Sequence, residues 1–335
     1  MKTMFGILGC EHSHIGIFVG EMLQLGHECV GIYEPSRSKV ALALAEKFQI
    51  PLLSDKRALF APHVSIIGSS AINNEKIEII EECEANGKHI MVDKPAVTDR
   101  SGCERLQAVI ERGGIQIGML LTERFQPAIL ALKSLIDSGR LGKVISIEIR
   151  KPHLLKAADR PQWFFTKSQS GGILIDLLIH DLDLLHWLTG DTIARTSGYM
   201  AKHVLTDKPE FYDAVLLQVL MRNHVAAHLY ADWHTPEKSW TWGDGRIFAT
   251  GTEGTAELRL NGDPFVKRET LLLLTTNSEE PAQAPLQQPE WTITEDFLRR
   301  IAGLSSCIDH QDIVAASQAA VDAEETVGLI RSAHH

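Results

Sequence analysis

The stretch MFGILGCEHSHIGIFVGEMLQLGHECVGIYE, residues 4–34, decides the fold of the first part of the chain. It opens with a short apolar run that predicts a strand and then turns at Gly9. From Ile15 onward, apolar residues recur at helical spacing until Gly26, where the helix is expected to end. A second apolar run, Cys29–Tyr33, follows. This order of strand, turn, helix and strand predicts a βαβ unit with two parallel strands.

The same alternation continues to about residue 120. Apolar runs and helical patterns follow each other with short links, which is typical of a parallel sheet covered on both faces. Residues 1–122 are therefore predicted to form a doubly wound α/β domain. The further predicted strands are Val64–Gly68, His89–Val92 and Ile115–Met119, and the further predicted helices are Arg37–Phe48, Asn74–Ala85 and Ser101–Arg112.

The pattern changes in residues 123–335. Runs of strand-like segments with few helices between them predict a mostly antiparallel sheet, and hence a second domain that contains both strands and helices. One strong helix, Gly172–Leu188, and a terminal helix, Asp309–Arg331, are predicted in this half. The predicted strands are Val144–Arg150, Tyr212–Leu220, His224–Ala231, Arg246–Gly251 and Thr255–Leu260.

Composition and charge argue against several classes of protein. The 335 residues carry a net charge of −10, which disfavours binding of nucleic acid through a basic face. No apolar run approaches the roughly 18 residues that a membrane span needs, and the first residues do not resemble a signal peptide. The five cysteines contain no CxxC pair, so we expect neither a disulfide framework nor a cysteine-rich zinc site. These features predict a cytoplasmic protein without a membrane or nucleic acid partner.

The first turn, GILGCEHSH at residues 6–14, lies between a strand and a helix, where doubly wound folds bind a pyrophosphate. Glu34 ends the second strand, and a carboxylate there accepts ribose hydroxyls and repels a 2′-phosphate, which favours NAD over NADP. Arg37 leaves NADP as the alternative, because an arginine can clamp that phosphate. Glu11 and His14 occupy the second and third glycine positions of the usual fingerprint. A tight turn that binds nothing is therefore the competing interpretation.

The same turn contains His12-x-His14, a spacing that can suit a metal ion. No third ligand is apparent in the sequence, and the other histidines are scattered. Two histidines alone are weak evidence for zinc, so we predict no metal site.

Two further segments carry candidate catalytic groups. Lys94, in Asp93-Lys94-Pro95, follows a predicted strand and so lies at the edge where such sheets bind ligands. Asp176 and His180 lie four residues apart in the predicted helix and are expected to share one face, where the carboxylate can orient the imidazole. The alternatives are an ordinary surface lysine and a structural Asp–His pair within the helix.

Five short motifs, in their order and spacing, resemble the Gfo/Idh/MocA oxidoreductase family over nearly the whole chain. The Glu-Lys-Pro of the family becomes Asp93-Lys94-Pro95, whereas the helix motif Gly-Gly-x-x-x-Asp-x-x-x-His-x-x-Asp is complete. The five motifs are DKP at 93–95, RFQP at 124–127, SGRLGKV at 138–144, GGILIDLLIHDLD at 171–183 and GTEGTAE at 251–257.

The resemblance implies a Rossmann domain, a second α/β domain with a large open sheet, and a homodimer or homotetramer. It also implies a nicotinamide cofactor and a sugar, inositol or related polyol as substrate. Carried over residue by residue, His180 becomes the general base and Asp176 orients it. Lys94 stabilises the developing alkoxide and helps to hold the cofactor.

The resemblance and the first turn together define the candidate binding residues. The cofactor residues are Gly9, Cys10, Glu11, His12, Glu34, Arg37, Ser69, Ser70, Asn73, Asp93, Lys94, Pro95 and Thr122. The substrate residues are Arg124, His153, Trp163, Asp176, His180 and His234. The leading hypothesis is an NAD(P)-dependent dehydrogenase. The alternatives are a non-redox sugar enzyme with tightly bound NAD, and a ligand-binding regulator on the same fold.

Overall fold

A five-stranded parallel sheet forms the centre of the first unit in the computed structural model, which describes residues 2–331. The strand order is β2-β1-β3-β4-β5, so the predicted doubly wound fold is confirmed. The strands are β1 Met4–Cys10, β2 Glu28–Tyr33, β3 Val64–Ser70, β4 His89–Val92 and β5 Ile117–Met119. The helices are α1 Ile15–Gln24, α2 Lys39–Phe48, α3 Lys76–Ala85 and α4 Arg100–Arg112.

The central strands of this sheet are buried, as a sheet covered on both faces requires. Consecutive residues of β3, Ile66 and Ile67, are both almost completely buried, which shows that neither face of the strand is open to solvent. The helices begin and end at ordinary signals. Asp99 caps α4 by accepting a hydrogen bond from the Gly102 amide at 2.7 Å, and Gly113 ends it with a φ of 67°.

A nine-stranded, mostly antiparallel sheet forms the second unit, as predicted. Its order is β13-β12-β11-β10-β6-β9-β8-β7-β14, with parallel pairs at β6–β9 and β7–β14. The strands are β6 Val144–Pro152, β7 Ile193–Lys202, β8 Ala214–Met221, β9 Ala226–Asp232, β10 Arg246–Gly251, β11 Gly254–Arg259, β12 Leu271–Thr276, β13 Ala282–Gln283 and β14 Gly328–Arg331. The helices are α5 Pro127–Asp137 and α7 Ile179–Thr189, the second of which continues a π-helical turn, Leu174–Leu178. The short helix α6 Lys167–Ser170 belongs to the first unit except for Lys167.

Four strands of this sheet were not predicted, among them the two-residue strand β13. β7 and β12 were missed, and β14 replaces the end of the predicted terminal helix Asp309–Arg331. The Gly-Leu-Ile-Arg segment of β14 pairs in parallel with β7, and this long-range pairing overrides continuation of the helix. The periodicity of residues along the chain cannot show that a distant strand, here β7, will pair with this segment.

Two later segments of the chain return to the first unit. This unit comprises residues up to Leu121 together with Ser168–Gly171 and Trp291–Gln318, and the remainder forms the second unit. The predicted boundary at residues 122/123 lies beside the first division, but it assigns the later segments to the second domain. The helices in the returning part are α8 Ile293–Ile301 and the first half of α9 His310–Thr326. In the described residues, no helix is both long and apolar enough to cross a membrane.

The returning segment binds to the edge strand β5 and to α1. The Ile117 amide donates a hydrogen bond to Nε2 of His310 at 3.0 Å, and the Ile117 carbonyl accepts one from Arg300. The Thr294 amide donates to the Glu21 carboxylate at 3.1 Å. Because these contacts join residues far apart in sequence, they were not visible as a pattern along the chain.

Candidate active site

The first turn has the geometry of a glycine-dependent strand-to-helix connection. Gly9 has a φ of +79°, and a Cβ atom there would lie 2.5 Å from Cβ of Ala71, so only glycine fits. The Cys10 amide donates to the Glu34 carboxylate at 2.7 Å, and the Glu11 amide donates to the Ser70 carbonyl at 2.8 Å. The two amides that follow the glycine are therefore already bound to protein acceptors.

An acidic cavity of about 550 Å³ adjoins this turn. Glu34 is fixed at the end of β2, where it also accepts a hydrogen bond from the Ser36 amide at 3.0 Å. Burial, and next Glu34, raise the pKa of Glu75. Arg37 is exposed and does not line the cavity. The charged residues that line it are Glu11, Glu34, Lys56, Glu75, Glu78 and Glu82, a set that disfavours a phosphate group.

His12, His14 and Asp93 form a compact group beside the turn. His12 Nδ1 lies 2.6 Å from one carboxylate oxygen of Asp93, and His14 Nδ1 lies 3.4 Å from the other. Burial lowers the pKa of His12, although Asp93 opposes this effect. Burial acts to raise the pKa of Asp93, but the imidazoles of His12 and His14 outweigh it and hold that pKa well below its usual range. The expectation of no metal rested on a missing third ligand in the sequence, and the structure places the Asp93 carboxylate beside both imidazoles.

Lys76 holds the loop that carries Lys94, a role that was not predicted. The Lys76 side chain is fully buried, and its ammonium donates to the backbone carbonyls of Asp93, Lys94 and Pro95 at 3.0, 3.3 and 3.1 Å. It also donates to the Asn73 side chain at 2.8 Å. One feature of the sequence could have indicated this role. Lys76 stands at the start of a predicted helix, where the helix dipole disfavours a cation, so a lysine there needs another reason.

The other predicted cofactor residues of this unit are engaged in supporting contacts. The Ser70 hydroxyl donates to the His12 carbonyl at 2.8 Å, and the Ser69 hydroxyl accepts from the Ala71 amide at 3.3 Å. The side chain of Asn73 donates to the Ser170 carbonyl at 2.8 Å and accepts from Lys76. These residues are buried and support the turn and the loop after β4, and their contact with the cofactor stays a prediction.

In the second unit, Asp176 and His180 are the partly exposed residues of an otherwise buried helical segment, Ile173–Leu185. Every other residue from Ile173 to Leu185 is buried. Asp176 lies in the π-helical turn Leu174–Leu178, and His180 follows at the start of α7. The wider turn alters the regular spacing on which the prediction of a shared face was based, and π-turns of this kind are frequent at functional sites.

Arg124, a predicted substrate residue, is buried in an ion pair with Asp183. Its side chain is only 1% exposed, and it binds the Asp183 carboxylate through two nitrogens, at 2.9 and 2.6 Å. The guanidinium also lies 5.6 Å from the ring of Trp187. This buried ion pair makes Arg124 a support of α7, and its contact with substrate stays a prediction. Thr122, a predicted cofactor residue, lies on the short helical turn Thr122–Phe125 of the same unit.

A second buried ion cluster flanks His180. Lys151 binds Glu123 at 2.5 Å and also binds Asp181, and all three side chains are nearly inaccessible. Burial raises the pKa of Asp181 to about 7, against the opposing effect of Lys151. The two ion clusters hold two carboxylates that follow His180 in the helix, those of Asp181 and Asp183, in the protein interior.

The remaining predicted substrate residues lie on loops of the second unit. The backbone joins His153 to the segment around His234, because the Thr235 amide donates to the His153 carbonyl at 3.1 Å. The His153 ring lies 5.5 Å from that of Trp233, and His234 Nε2 lies 3.1 Å from the Asp213 carboxylate. Trp163 is buried and packs at 6.4 Å on Phe164. The two histidines thus belong to one loop cluster, while Trp163 supports it from within.

The two units correspond to two family descriptions. Residues 5–120 match "Oxidoreductase family, NAD-binding Rossmann fold", and residues 129–257 match "GFO/IDH/MocA C-terminal domain". The chain belongs to the Gfo/Idh/MocA oxidoreductase family. The resemblance inferred from the five motifs is thereby confirmed.

Curated relatives and solved structures agree with this assignment. Inositol 2-dehydrogenase 2 of Saccharopolyspora erythraea is 24% identical over 233 residues, which is 67% of this chain and 65% of the relative. Inositol 2-dehydrogenase of Ralstonia nicotianae is 30% identical over 197 residues, 57% of this chain and 56% of the relative. These matches thus span less than two thirds of the relatives' own lengths.

Two solved structures share the fold over almost the whole chain. Levoglucosan dehydrogenase in complex with NADH has a TM-score of 0.80 at 18% identity, with 97% of each chain covered. Aldose-aldose oxidoreductase from Caulobacter crescentus in complex with glycerol has a TM-score of 0.78 at 19% identity, with 97% of this chain and 98% of that chain covered.

Proposed function

We propose that the protein is an NAD-dependent dehydrogenase that oxidises a hydroxyl group of a sugar, an inositol or a related polyol. The observation that carries the proposal is the exposure pattern of the catalytic helix. Between Ile173 and Leu185, only Asp176 and His180 are not buried. Ionisable side chains that alone remain accessible on an apolar helix are candidates for chemistry. The names of the relatives supply the class of substrate.

Three side chains carry the proposed reaction. His180 takes the proton from the substrate hydroxyl as general base, and Asp176 keeps its imidazole in the required orientation. Lys94, on the loop fixed by Lys76, stabilises the negative charge that develops on the oxygen. When bound, the nicotinamide supplies the hydride acceptor.

The residues at the first turn fit a dinucleotide with an unphosphorylated ribose. Gly9 permits the close approach of backbone, and Glu34 presents a fixed carboxylate beside the turn for the ribose hydroxyls. The acidic lining of the adjoining cavity opposes the 2′-phosphate of NADP. NAD is therefore the proposed cofactor.

The open sheet of the second unit supports a homodimer or homotetramer, which we also propose. Tyr199, Leu216 and Tyr230 pair in register across β7, β8 and β9, and Tyr199 and Leu216 are 59% and 46% exposed. Ile145 on β6 and Phe248 on β10 are exposed as well. Large apolar side chains on one open sheet are suited to cover by a second copy of the chain. A cytoplasmic location remains part of the proposal.

The test is a screen of inositols, hexoses and sugar acids with NAD, followed by variants on the best substrate. His180→Ala should lower turnover by about 10²–10⁴-fold and leave NAD affinity near that of the parent. His228→Ala, an exposed histidine on β9, serves as the control and should retain turnover.

The outcomes separate the three functional hypotheses. Full activity of His180→Ala would remove His180 as the base. NAD that stays bound while substrate is converted without net NADH formation would indicate the non-redox enzyme. Tight sugar binding without any conversion would indicate a regulator.

A further inference from the structure

The first unit contains a group of metal-type ligands that take no part in the proposed proton transfer and charge stabilisation. The ligand atoms of His12, His14 and Asp93 all lie within 4.8 Å of one another. We propose that these three side chains bind one divalent transition-metal ion of the Zn²⁺ class. The proposal does not depend on the proposed function, because all three residues lie in the first unit and form the site without substrate.

The separations between the ligand atoms are near those that a small ion requires. Bonds of 2.0–2.2 Å to nitrogen and oxygen place tetrahedral ligand atoms roughly 3.3 Å apart. The structure has 3.4 Å between His14 Nδ1 and Asp93, and 2.6 Å between His12 Nδ1 and the other carboxylate oxygen. Because all three ligand atoms lie within 4.8 Å of one another, side-chain movements of roughly 1–2 Å convert this group into a coordination shell.

The backbone on both sides of the group is tied to the same strand end. The Ser70 hydroxyl donates to the His12 carbonyl at 2.8 Å, and the Ser70 carbonyl accepts from the Glu11 amide at the same distance. The Asp93 amide donates to the Ser69 carbonyl at 2.8 Å. Ligands held by neighbouring residues of β3 are preorganised, so little ordering is required when the ion binds.

The electrostatics of the group favour a cation with access from solvent. The Asp93 carboxylate is 1% exposed, and the ion pairs described for it go to the imidazoles of His12 and His14. A buried carboxylate is costly without a compensating positive charge, which a divalent ion provides when both imidazoles are neutral. The side chains of His12 and His14 are 26% and 46% exposed, which leaves a path for the ion.

The chemistry of the ligands selects the class of ion. Two imidazole nitrogens and one carboxylate oxygen suit Zn²⁺, Co²⁺ or Ni²⁺, whereas Mg²⁺ and Ca²⁺ prefer oxygen ligands throughout. Three protein ligands leave one tetrahedral position open for water or another ligand.

The experiment uses the full chain after removal of metal by a chelator. Zn²⁺ is titrated by calorimetry, and Co²⁺ serves as a second probe because its visible absorption reports coordination by nitrogen and oxygen. We expect one equivalent per chain. His14→Gln changes the most exposed of the three ligands, so its fold should be retained, and circular dichroism checks this. The His14→Gln variant should bind Zn²⁺ more weakly than the parent by more than roughly 10–100-fold, which is the loss of metal affinity that removal of an outer-shell partner causes.

Two control proteins separate this site from other histidines. His63→Gln removes an exposed histidine of the same unit and should bind Zn²⁺ like the parent. Replacement of His334 and His335 by alanine removes the only adjacent histidine pair in the sequence and should also leave the affinity unchanged.

Three results would overturn the proposal. They are a parent chain that binds no stoichiometric Zn²⁺ or Co²⁺, a folded His14→Gln with parental affinity, and loss of binding in the variant lacking His334 and His335. None of these results bears on whether the enzyme oxidises a polyol, so the two proposals fail separately.

Discussion

Replacement of Lys76 by methionine should lower the free energy of unfolding by about 3–5 kcal/mol. The Lys76 ammonium is buried and donates to three backbone carbonyls and one side-chain oxygen at 2.8–3.3 Å. Methionine fills a similar volume but donates no hydrogen bond. The Asp93-Lys94-Pro95 loop would therefore lose the group that fixes its carbonyls.

The magnitude follows from the acceptors that are left behind. Each buried carbonyl without a donor costs about 1–3 kcal/mol, and three carbonyls lose the ammonium. Removing the charge also removes the cost of burying it, which offsets part of this sum. The expected loss of about 3–5 kcal/mol is therefore the lower part of the sum over the three carbonyls. Turnover should fall as well, because the Lys94 backbone is no longer fixed.

Denaturant unfolding with linear extrapolation measures the change. Lys39→Met is a matched control, because Lys39 also occupies the first position of a helix, α2, but is exposed. It should change stability by less than about 0.5 kcal/mol. If Lys76→Met were as stable as Lys39→Met, the reasoning that Lys76 holds the loop would be wrong.

Three further predictions concern other parts of the first unit. Burial lowers the pKa of His310 to about 4 from 6.5, so its stabilising effect is full above pH 6.5 and is lost as the pH falls towards 4. His310→Gln should flatten the unfolding free energy measured across that pH range, and an unchanged slope would contradict this. Gly9→Ala should destabilise the protein in denaturant titrations by about 1–3 kcal/mol more than Gly87→Ala, because both have positive φ but only Gly9 lacks space for a Cβ. Glu34→Gln should narrow the preference for NADH over NADPH in fluorescence titrations, and an unaltered ratio would show that Glu34 does not set it.

The sequence was sufficient to predict the parallel sheet, the mostly antiparallel sheet and the order in which they occur. The reason is that strand and helix periodicity, and short glycine-marked links, are local properties of the chain. The terminal strand β14 was missed because it exists only through its pairing with β7. Its own residues do not distinguish a strand from the end of a helix.

The candidate site was predictable to the level of residue types but not of partners. Asp176 and His180 remain partly exposed, as a catalytic pair requires, whereas Arg124 is buried against Asp183. An arginine in a motif looks the same in sequence whether it contacts substrate or a carboxylate of its own domain. The contact of Asp93 with His12 joins segments about 80 positions apart, and no spacing rule connects them.

The two bonds of Ile117 to Arg300 and His310 have a consequence for biosynthesis. They occupy the amide and carbonyl of Ile117 on the outer side of β5, the last strand of its sheet, and so block pairing with other chains at that residue. On a ribosome that adds about 5–20 residues per second, the strand emerges roughly 10–40 s before the residues that cover it. During that interval the nascent chain exposes an edge that can pair with strands of other chains. A fragment that ends at Leu121 would keep this edge open permanently.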